Sequence, residues 1–403
     1  MPSRNDSPPP PPTDPTTTTA TTTNLCKRCH TEPVAISVRT EPVCKACFSK
    51  YVQTKIVKRL ETFRVKNSSP GKERTLLVPL SFGPASTALL RVLSRHLKGQ
   101  VAKTGRTGFK LHVLHLLQPH EDAAASKARL ARVQALYPDH VYSTLALSSI
   151  ASDPQLAATL LPTSLQEPLA TLRLQSTSPS TSSPSPSLSS SDDDNLLTTL
   201  LATLPTPTSR SDARALLQRK LTLHHARATA CAAVLFSDTT TRLAERILSE
   251  TAKGRGFALP WVVADGESPL GVPVYYPVRE LLSKEVGAYV GFLEEDEGEG
   301  GLNGDLVVRD GDGDGSGSGK GGPVPTMMRN STIDELTRQY FGGVEVDYPS
   351  IVANVVRTTG KLEARTLGEV EAHCELCDLP LEGQAPERSR LCYGCIRTMG
   401  ESA

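Results

Sequence analysis

Aromatic side chains are scarce in this sequence, 4% of 403 residues with a single tryptophan. Set beside abundant Pro, Ser, Thr and Gly, that scarcity describes an ordered core interrupted by disordered tracts rather than one unbroken globule. No window of roughly eighteen apolar residues occurs, which excludes a helical membrane span by the usual length criterion. The N-terminus lacks an apolar h-region, so no secretory signal is expected and the expected location is cytoplasmic. Net charge is +1, which excludes a global field that would by itself recruit nucleic acid or a membrane. Any such binding must come from local patches. The length allows one large domain with appendages, or two domains.

Cysteine is not scarce. Eight of the nine fall into four CxxC pairs, a spacing that in a reducing compartment points to metal rather than disulfides. Cys26, Cys29, Cys44 and Cys47 form two pairs with fourteen residues between them. One knuckle supplies two corners of a tetrahedron, and a short hairpin returns the other two, which suits Zn²⁺. Cys374, Cys377, Cys392 and Cys395 repeat that spacing at the opposite end, giving two structural zinc sites, with an iron–sulfur site or reducible disulfides as alternatives. His30 and His373 adjoin knuckles and are read as bystanders, His373 also as an outer partner. The ninth cysteine, Cys231, falls on a predicted buried strand and reads as a small core residue.

Between the quartets the pattern alternates. Residues 50–66 read as an amphipathic helix with Val52, Ile56, Leu60 and Phe63 as its apolar stripe. Lys55, Lys58, Arg59 and Arg64, with Lys66 downstream, make it a candidate phosphate-contacting surface for RNA, or else a solvated face that docks the zinc module. Strands are expected at 76–80, 109–117, 141–147, 231–236 and 257–263. Helices are expected at 87–98, 122–136, 211–230, 240–253, 278–292, 331–340 and 348–356, the penultimate one opened by Ser331 and Asp334 as a capping pair. Such alternation predicts a parallel sheet with helices on its faces, continuous across its insertions as one domain. His112 and His115, three apart on a strand, are expected on opposite faces. His224 and His225 lie near Arg219, Lys220 and Arg227, either as partly exposed polar residues or as tRNA contacts. The organisation expected is a disordered tail at 1–23, a zinc module at 24–50, an α/β domain at 51–372 with disordered insertions at 176–194 and 294–326, and a second zinc module at 373–403. Asp310, Asp312 and Asp314 mimic the start of a calcium loop, but its twelfth position is Gly321, and a flexible linker is the better reading.

The turn between the first strand and helix of this domain is Ser81-Phe82-Gly83-Pro84-Ala85-Ser86. It resembles a degraded SGGxDS pyrophosphate loop, the signature of enzymes that split ATP to AMP and pyrophosphate. Ser81, Gly83 and Ser86 match. Phe82 replaces a glycine that would let the backbone approach phosphate, and Ala85 replaces an aspartate that could help hold a metal ion. A loop that keeps its shape without competent ATP chemistry is expected, and ATP binding is doubtful.

Taken together, the LCKRCH and CKACF knuckles, the VPLSFGPASTALLRVL loop, the RLAERILSETAKGRG stretch and the terminal CELC and LCYGC pairs resemble the cytoplasmic tRNA 2-thiolation protein 2 family. The resemblance implies an α/β fold of the degenerate PP-loop ATPase-like (HUP, adenine nucleotide alpha hydrolase-like) type. It further implies a heterodimer with a catalytic PP-loop tRNA thiolase. Together the two place sulfur on the wobble uridine of tRNAs for Lys, Glu and Gln, the sulfur coming from a thiocarboxylated ubiquitin-related modifier. With eight cysteines assigned to zinc, Cys231 alone cannot hold a cluster, so a non-catalytic subunit is expected. An active ATP-dependent sulfurtransferase and a zinc-based interaction adaptor are the alternatives.

Overall fold

Leu76, Leu77 and Val78 are completely buried, as an uninterrupted apolar run must be when a parallel strand is covered on both faces. They form the centre of the sheet. The computed structural model describes residues 25–119, 121–176, 190–297, 306–308, 331–363, 372–381 and 383–400. His120 and residues 310–321, with the calcium-like run, lie outside them, as does the tail at 1–23. The chain divides into two units, 1–48 and 49–403.

In the first unit, β1 (Ile36–Val38) and β2 (Glu41–Val43) form an antiparallel hairpin with Ile36 opposite Val43. The helix α1 (Lys45–Lys58) begins inside the second CxxC knuckle and continues into the second unit, which also holds the residues that follow it. This corrects the single helix expected over 50–66: α1 stops at Lys58 and two 3-10 turns follow, Glu61–Phe63 and Val65–Asn67. The apolar stripe holds across the break, with Val52, Ile56, Leu60 and Phe63 all buried.

In the second unit β3 (Arg74–Pro79), α2 (Pro84–Thr104), β4 (Phe109–Leu117), α3 (Ala123–Leu136) and β5 (Val141–Ala146) follow in turn. α2 opens with Pro84 in its first turn, where a missing N–H costs nothing, and stops at Gly105 in the left-handed region. Short helices come next: α4 (Ser149–Ser152), α5 (Pro154–Leu160), α6 (Thr163–Ser176) and α7 (Ser190–Ala202). They bury a leucine cluster that includes Leu160, Leu169, Leu197 and Leu217. α6 runs to Ser176 and α7 starts at Ser190, so both ends of the insertion expected at 176–194 are helical. Asp192 and Asp193 fall in the first turn of α7, where negative charge suits a helix N-terminus.

The chain continues through α8 (Pro207–Ala228), β6 (Ala233–Leu235), α9 (Thr240–Ala252), α10 (Leu259–Val262), β7 (Gly266–Glu267), β8 (Pro273–Tyr275), α11 (Ser283–Glu297), α12 (Ile333–Asp347), α13 (Pro349–Thr359) and α14 (Tyr393–Met399). The strand expected at 257–263 is instead a 3-10 turn and α10. Pro260 in that helix's first turn has no N–H to give a sheet, and β8 takes the sheet position. α11 begins five residues later than expected and runs into the stretch assigned to the second insertion. α12 is capped by Thr332 and Glu335, a reciprocal capping box, rather than by Ser331 and Asp334.

The sheet order is β5-β4-β3-β6-β8-β7, parallel except for β7. Right-handed crossovers place α2 and α3 on one face, because both connections step toward β5. The steps to β6 and β8 run the other way, so α8 and α9 cover the opposite face. α11 packs on α2, and α12 and α13 pack on α9. The sheet does continue across the insertion, and its carboxyl edge presents the loop after β3.

Candidate functional site

That loop is closed by its own side chains. Phe82 has φ 58°, in the left-handed region that glycine enters freely and other residues enter at a cost of about 1–2 kcal/mol. Its side chain is 1% exposed. The ring centre lies 4.7 Å from that of the His115 ring, and the Arg129 guanidinium stands 5.4 Å from the Phe82 ring centre. Burying a phenylalanine gains about 1.5–3 kcal/mol, enough to offset the backbone strain. The Phe82 carbonyl accepts from the Val308 N–H at 2.9 Å, and Leu306 and Val307 are buried beside it. Residues 306–308 fall within the insertion expected to be disordered, and this packing is a correction to that expectation.

The remaining polar groups of the loop satisfy one another. Ser81 Oγ lies 3.2 Å from Ser86 Oγ, the Gly83 N–H donates to Ser81 Oγ at 3.4 Å, and Ser86 Oγ donates to the Gly83 carbonyl at 3.0 Å. Pro84 has no N–H to offer an anion, and Ala85 has no carboxylate. The arrangement holds a turn in place; the glycine and the acid of a working pyrophosphate loop are both gone.

His115 supports the loop from below, with Nδ1 2.8 Å from the Leu80 carbonyl and Nε2 3.5 Å from the Glu121 carboxylate. His112 faces the other way, 2.7 Å from Ser143 Oγ, with the His225 ring at 5.3 Å. The two histidines are not brought together. Burial would raise the Glu121 carboxyl, but the His115 side chain, the Gln118 N–H and the Ser126 hydroxyl together hold it at about 2. A carboxylate whose folded pKa lies below its unfolded value of about 4.3 stabilises the fold above that pH, and the contribution is lost as pH falls through the folded value. Urea midpoints measured from pH 5 downward are expected to fall less steeply between about pH 4.3 and 2 in Glu121→Gln than in wild type. Equal slopes would remove Glu121 from this role.

At the carboxyl ends of β3, β4 and β6, where open α/β sheets bind ligands, a cavity of about 290 Å³ is lined by Ser81, Gln118, Arg219, Phe236, Trp261 and Cys377. Its cations are engaged. The Arg219 guanidinium lies 4.8 Å from the Phe236 ring centre and donates to the Tyr276 hydroxyl and the Trp261 carbonyl, and Arg246 makes two 3.2 Å bonds to Asp238.

The cysteines form the two expected quartets. Within each, all four Sγ atoms lie within 4.8 Å of one another, with 3.8 Å between Cys29 and Cys44 and 3.8 Å between Cys377 and Cys392. A tetrahedron with metal–sulfur bonds of about 2.3 Å has edges of about 3.8 Å, so each donor set fits a single ion. A [4Fe–4S] cluster sends each thiolate to a separate iron and a [2Fe–2S] cluster divides the four between two irons, so either needs some of the sulfurs splayed farther apart. Backbone N–H groups of Arg28, Cys47 and Cys392 point at Cys26, Cys44 and Cys374 sulfurs at 3.4, 3.5 and 3.4 Å, a favourable setting for thiolates. The two first knuckles also match in backbone form, for His30 and Asp378, each just after its second cysteine, both have positive φ. His30 and His373 are exposed and belong to neither quartet. Cys231 is buried, with its thiol pushed up by that burial, and belongs to neither quartet.

The C-terminal quartet is tied to the α/β unit by buried charge. Lys220 Nζ donates to the Glu375 carbonyl at 2.8 Å and pairs with Asp378 at 3.1 Å. Asp212 meets Lys253 at 2.9 Å, Thr398 of α14 at 2.7 Å and both terminal nitrogens of Arg255, which also pairs with Glu250. Gly394 of α14 lies so close that a Cβ there would sit 2.3 Å from Arg255 Cγ. The sequence signal for this anchor was the RLAERILSETAKGRG stretch, whose Glu250, Lys253 and Arg255 it uses.

The basic residues on and after α1 divide between paired and exposed side chains. Lys55 pairs with Glu280 at 2.7 Å, Arg59 with Asp265 and Arg64 with its neighbour Glu61. Lys58 and Lys66 are exposed.

Comparison with known proteins agrees with this architecture. The family model described as cytoplasmic tRNA 2-thiolation protein 2 matches residues 332–390. The chain is 37% identical to the cytoplasmic tRNA 2-thiolation protein 2 of Phaeosphaeria nodorum, over 94% of this chain and 95% of that protein. It is 37% identical to the protein of the same name from Pyrenophora tritici-repentis, over 93% of this chain and 94% of the other. Among solved structures, the U34-tRNA thiolase NcsA from Methanococcus maripaludis, with its [4Fe-4S] cluster, has a similar fold, with a TM-score of 0.53 and 14% identity over 88% of this chain and 90% of that one. This chain therefore belongs to the cytoplasmic tRNA 2-thiolation protein 2 family.

Proposed function

We propose that this chain is the non-catalytic subunit of a cytoplasmic tRNA 2-thiolation complex, the heterodimer partner of a PP-loop thiolase. The observation that carries this reading is the loop itself: Phe82 fills the space a glycine would leave open and Ala85 supplies no carboxylate. A scaffold can keep such a loop; an enzyme that adenylates a uridine oxygen cannot use it. The cysteine inventory supports the same division, since all nine are accounted for by two quartets and one buried thiol. Zinc in both quartets would supply folding energy rather than chemistry. The partner would bring the intact loop, and the sulfur would come from a thiocarboxylated ubiquitin-related modifier, delivered to the wobble uridine of tRNAs for Lys, Glu and Gln. The experiment is reconstitution of thiolation with this chain alone, the catalytic subunit alone and both. Full activity is expected only with both, and thiolated tRNA formed by this chain alone would overturn the assignment.

A further inference from the structure

A net charge of +1 conceals a strong local excess. Residues 84–136 hold nine Lys and Arg against two Asp and Glu, whereas residues 137–403 hold 22 against 35. The basic stretch is α2, β4 and α3, and both helices cover the same face of the sheet. α2 contains no acidic residue. Asp122 caps α3, accepting from the Ala124 and Ala125 N–H groups, and Glu121 is turned to His115 and Ser126.

The outward residues of the two helices are Arg95, Lys98 and Lys103 on α2 and Lys127 and Arg132 on α3, all exposed. Among the described residues none of the five forms an ion pair. The contrast with α1 is direct, because Lys55 and Arg59 are held by acids of the same unit. Among the described residues, the one large apolar side chain exposed on these two helices is Val101, so the face offers little to insert into a lipid layer. It offers guanidinium and ammonium groups to a polyanion.

We propose that the outer face of α2 and α3 is the surface on which this chain contacts the phosphate backbone of tRNA. The inference rests on the proposed role in tRNA thiolation and names where the RNA lies. Each phosphate neutralised releases a counterion, so contacts of this kind are read in the salt dependence of binding. The polarity of charge along the chain would also orient the RNA during encounter.

The test uses the full-length protein, alone and with its catalytic partner, and measures tRNA affinity at several salt concentrations. The triple variant Arg95→Glu, Lys98→Glu, Arg132→Glu is expected to bind at least tenfold more weakly at low salt, with the slope of log K against log salt reduced by about 2. Lys55→Ala is expected to stay within about twofold of wild type, since that charge is already paired. Metal content and melting temperature equal to wild type show that the triple variant is folded. If it keeps wild-type affinity and slope while the protein binds tRNA, the surface is elsewhere and only this inference falls. If the wild-type protein binds no tRNA in either form, the proposed function falls with it. If the variant keeps tRNA binding but loses binding to phosphatidylserine vesicles, the face serves lipid and the inference is wrong.

Discussion

Asp212→Ala is expected to cost about 3–5 kcal/mol of folding free energy, the range found when one partner is removed from a buried ion pair. Asp212 is 2% exposed and Arg255 is fully buried. Burial alone would push the Asp212 carboxyl up; the Arg255 and Lys253 charges beside it reverse that and hold it down. Without it, Arg255 keeps Glu250 and Lys253 keeps Asp334, but each buried cation loses a charged partner. Asp212→Asn is expected to cost less than Asp212→Ala but still to destabilise, because its amide keeps one acceptor for the guanidinium while losing the charge and turning a donor toward a cation. Urea denaturation gives the measurement, as a lower midpoint at unchanged m. A loss below about 1 kcal/mol would mean that the network is solvated and that the C-terminal module is anchored by apolar packing instead.

Loss of the C-terminal ion is expected to have the larger consequence still. Cys374, Cys392 and Cys395 are fully buried, and structural zinc contributes an apparent 10–16 kcal/mol, roughly, at neutral pH. That exceeds or equals the whole stability of a typical domain, about 5–15 kcal/mol. Elemental analysis is expected to find two zinc ions per chain, and one in Cys392→Ser. The variant is also expected to melt at a lower temperature, because Thr398 and Asp378 leave their buried partners when α14 and the knuckle come apart. Two ions retained in Cys392→Ser, or an unchanged melting temperature, would contradict the assignment of that quartet.

How much of this was legible in the sequence depended on how local the cause was. The CxxC pairs could be read because four thiolates at fixed spacing admit few geometries, and β3 because a five-residue apolar run between a charged start and a small-residue turn has few other homes. α4 to α7 were not seen. Their leucines are interrupted by Pro154, Pro162 and Pro168, which read as breaks, yet each sits where a short helix tolerates it or bends around it. The strand expected at 257–263 failed because an apolar run of that length fits either a strand or a buried helical turn, and Pro260 was the deciding signal. The loop residues were found, but the contacts that close them were not. Val308, His115 and Arg129 reach Phe82 from segments separated by tens to hundreds of residues, and no periodicity records such a meeting. The basic helix was found for its charge alone, and charge alone does not say whether an acid such as Glu280 waits across the fold.

The closed loop is most directly tested by ATP turnover on the purified chain without its partner, followed as AMP and pyrophosphate release. The expected result is none above a protein-free control, both for wild type and for Phe82→Gly, in which the ring is removed but Ala85 still provides no carboxylate. AMP formation by the wild-type chain that disappears in Ser81→Ala and Ser86→Ala would contradict it.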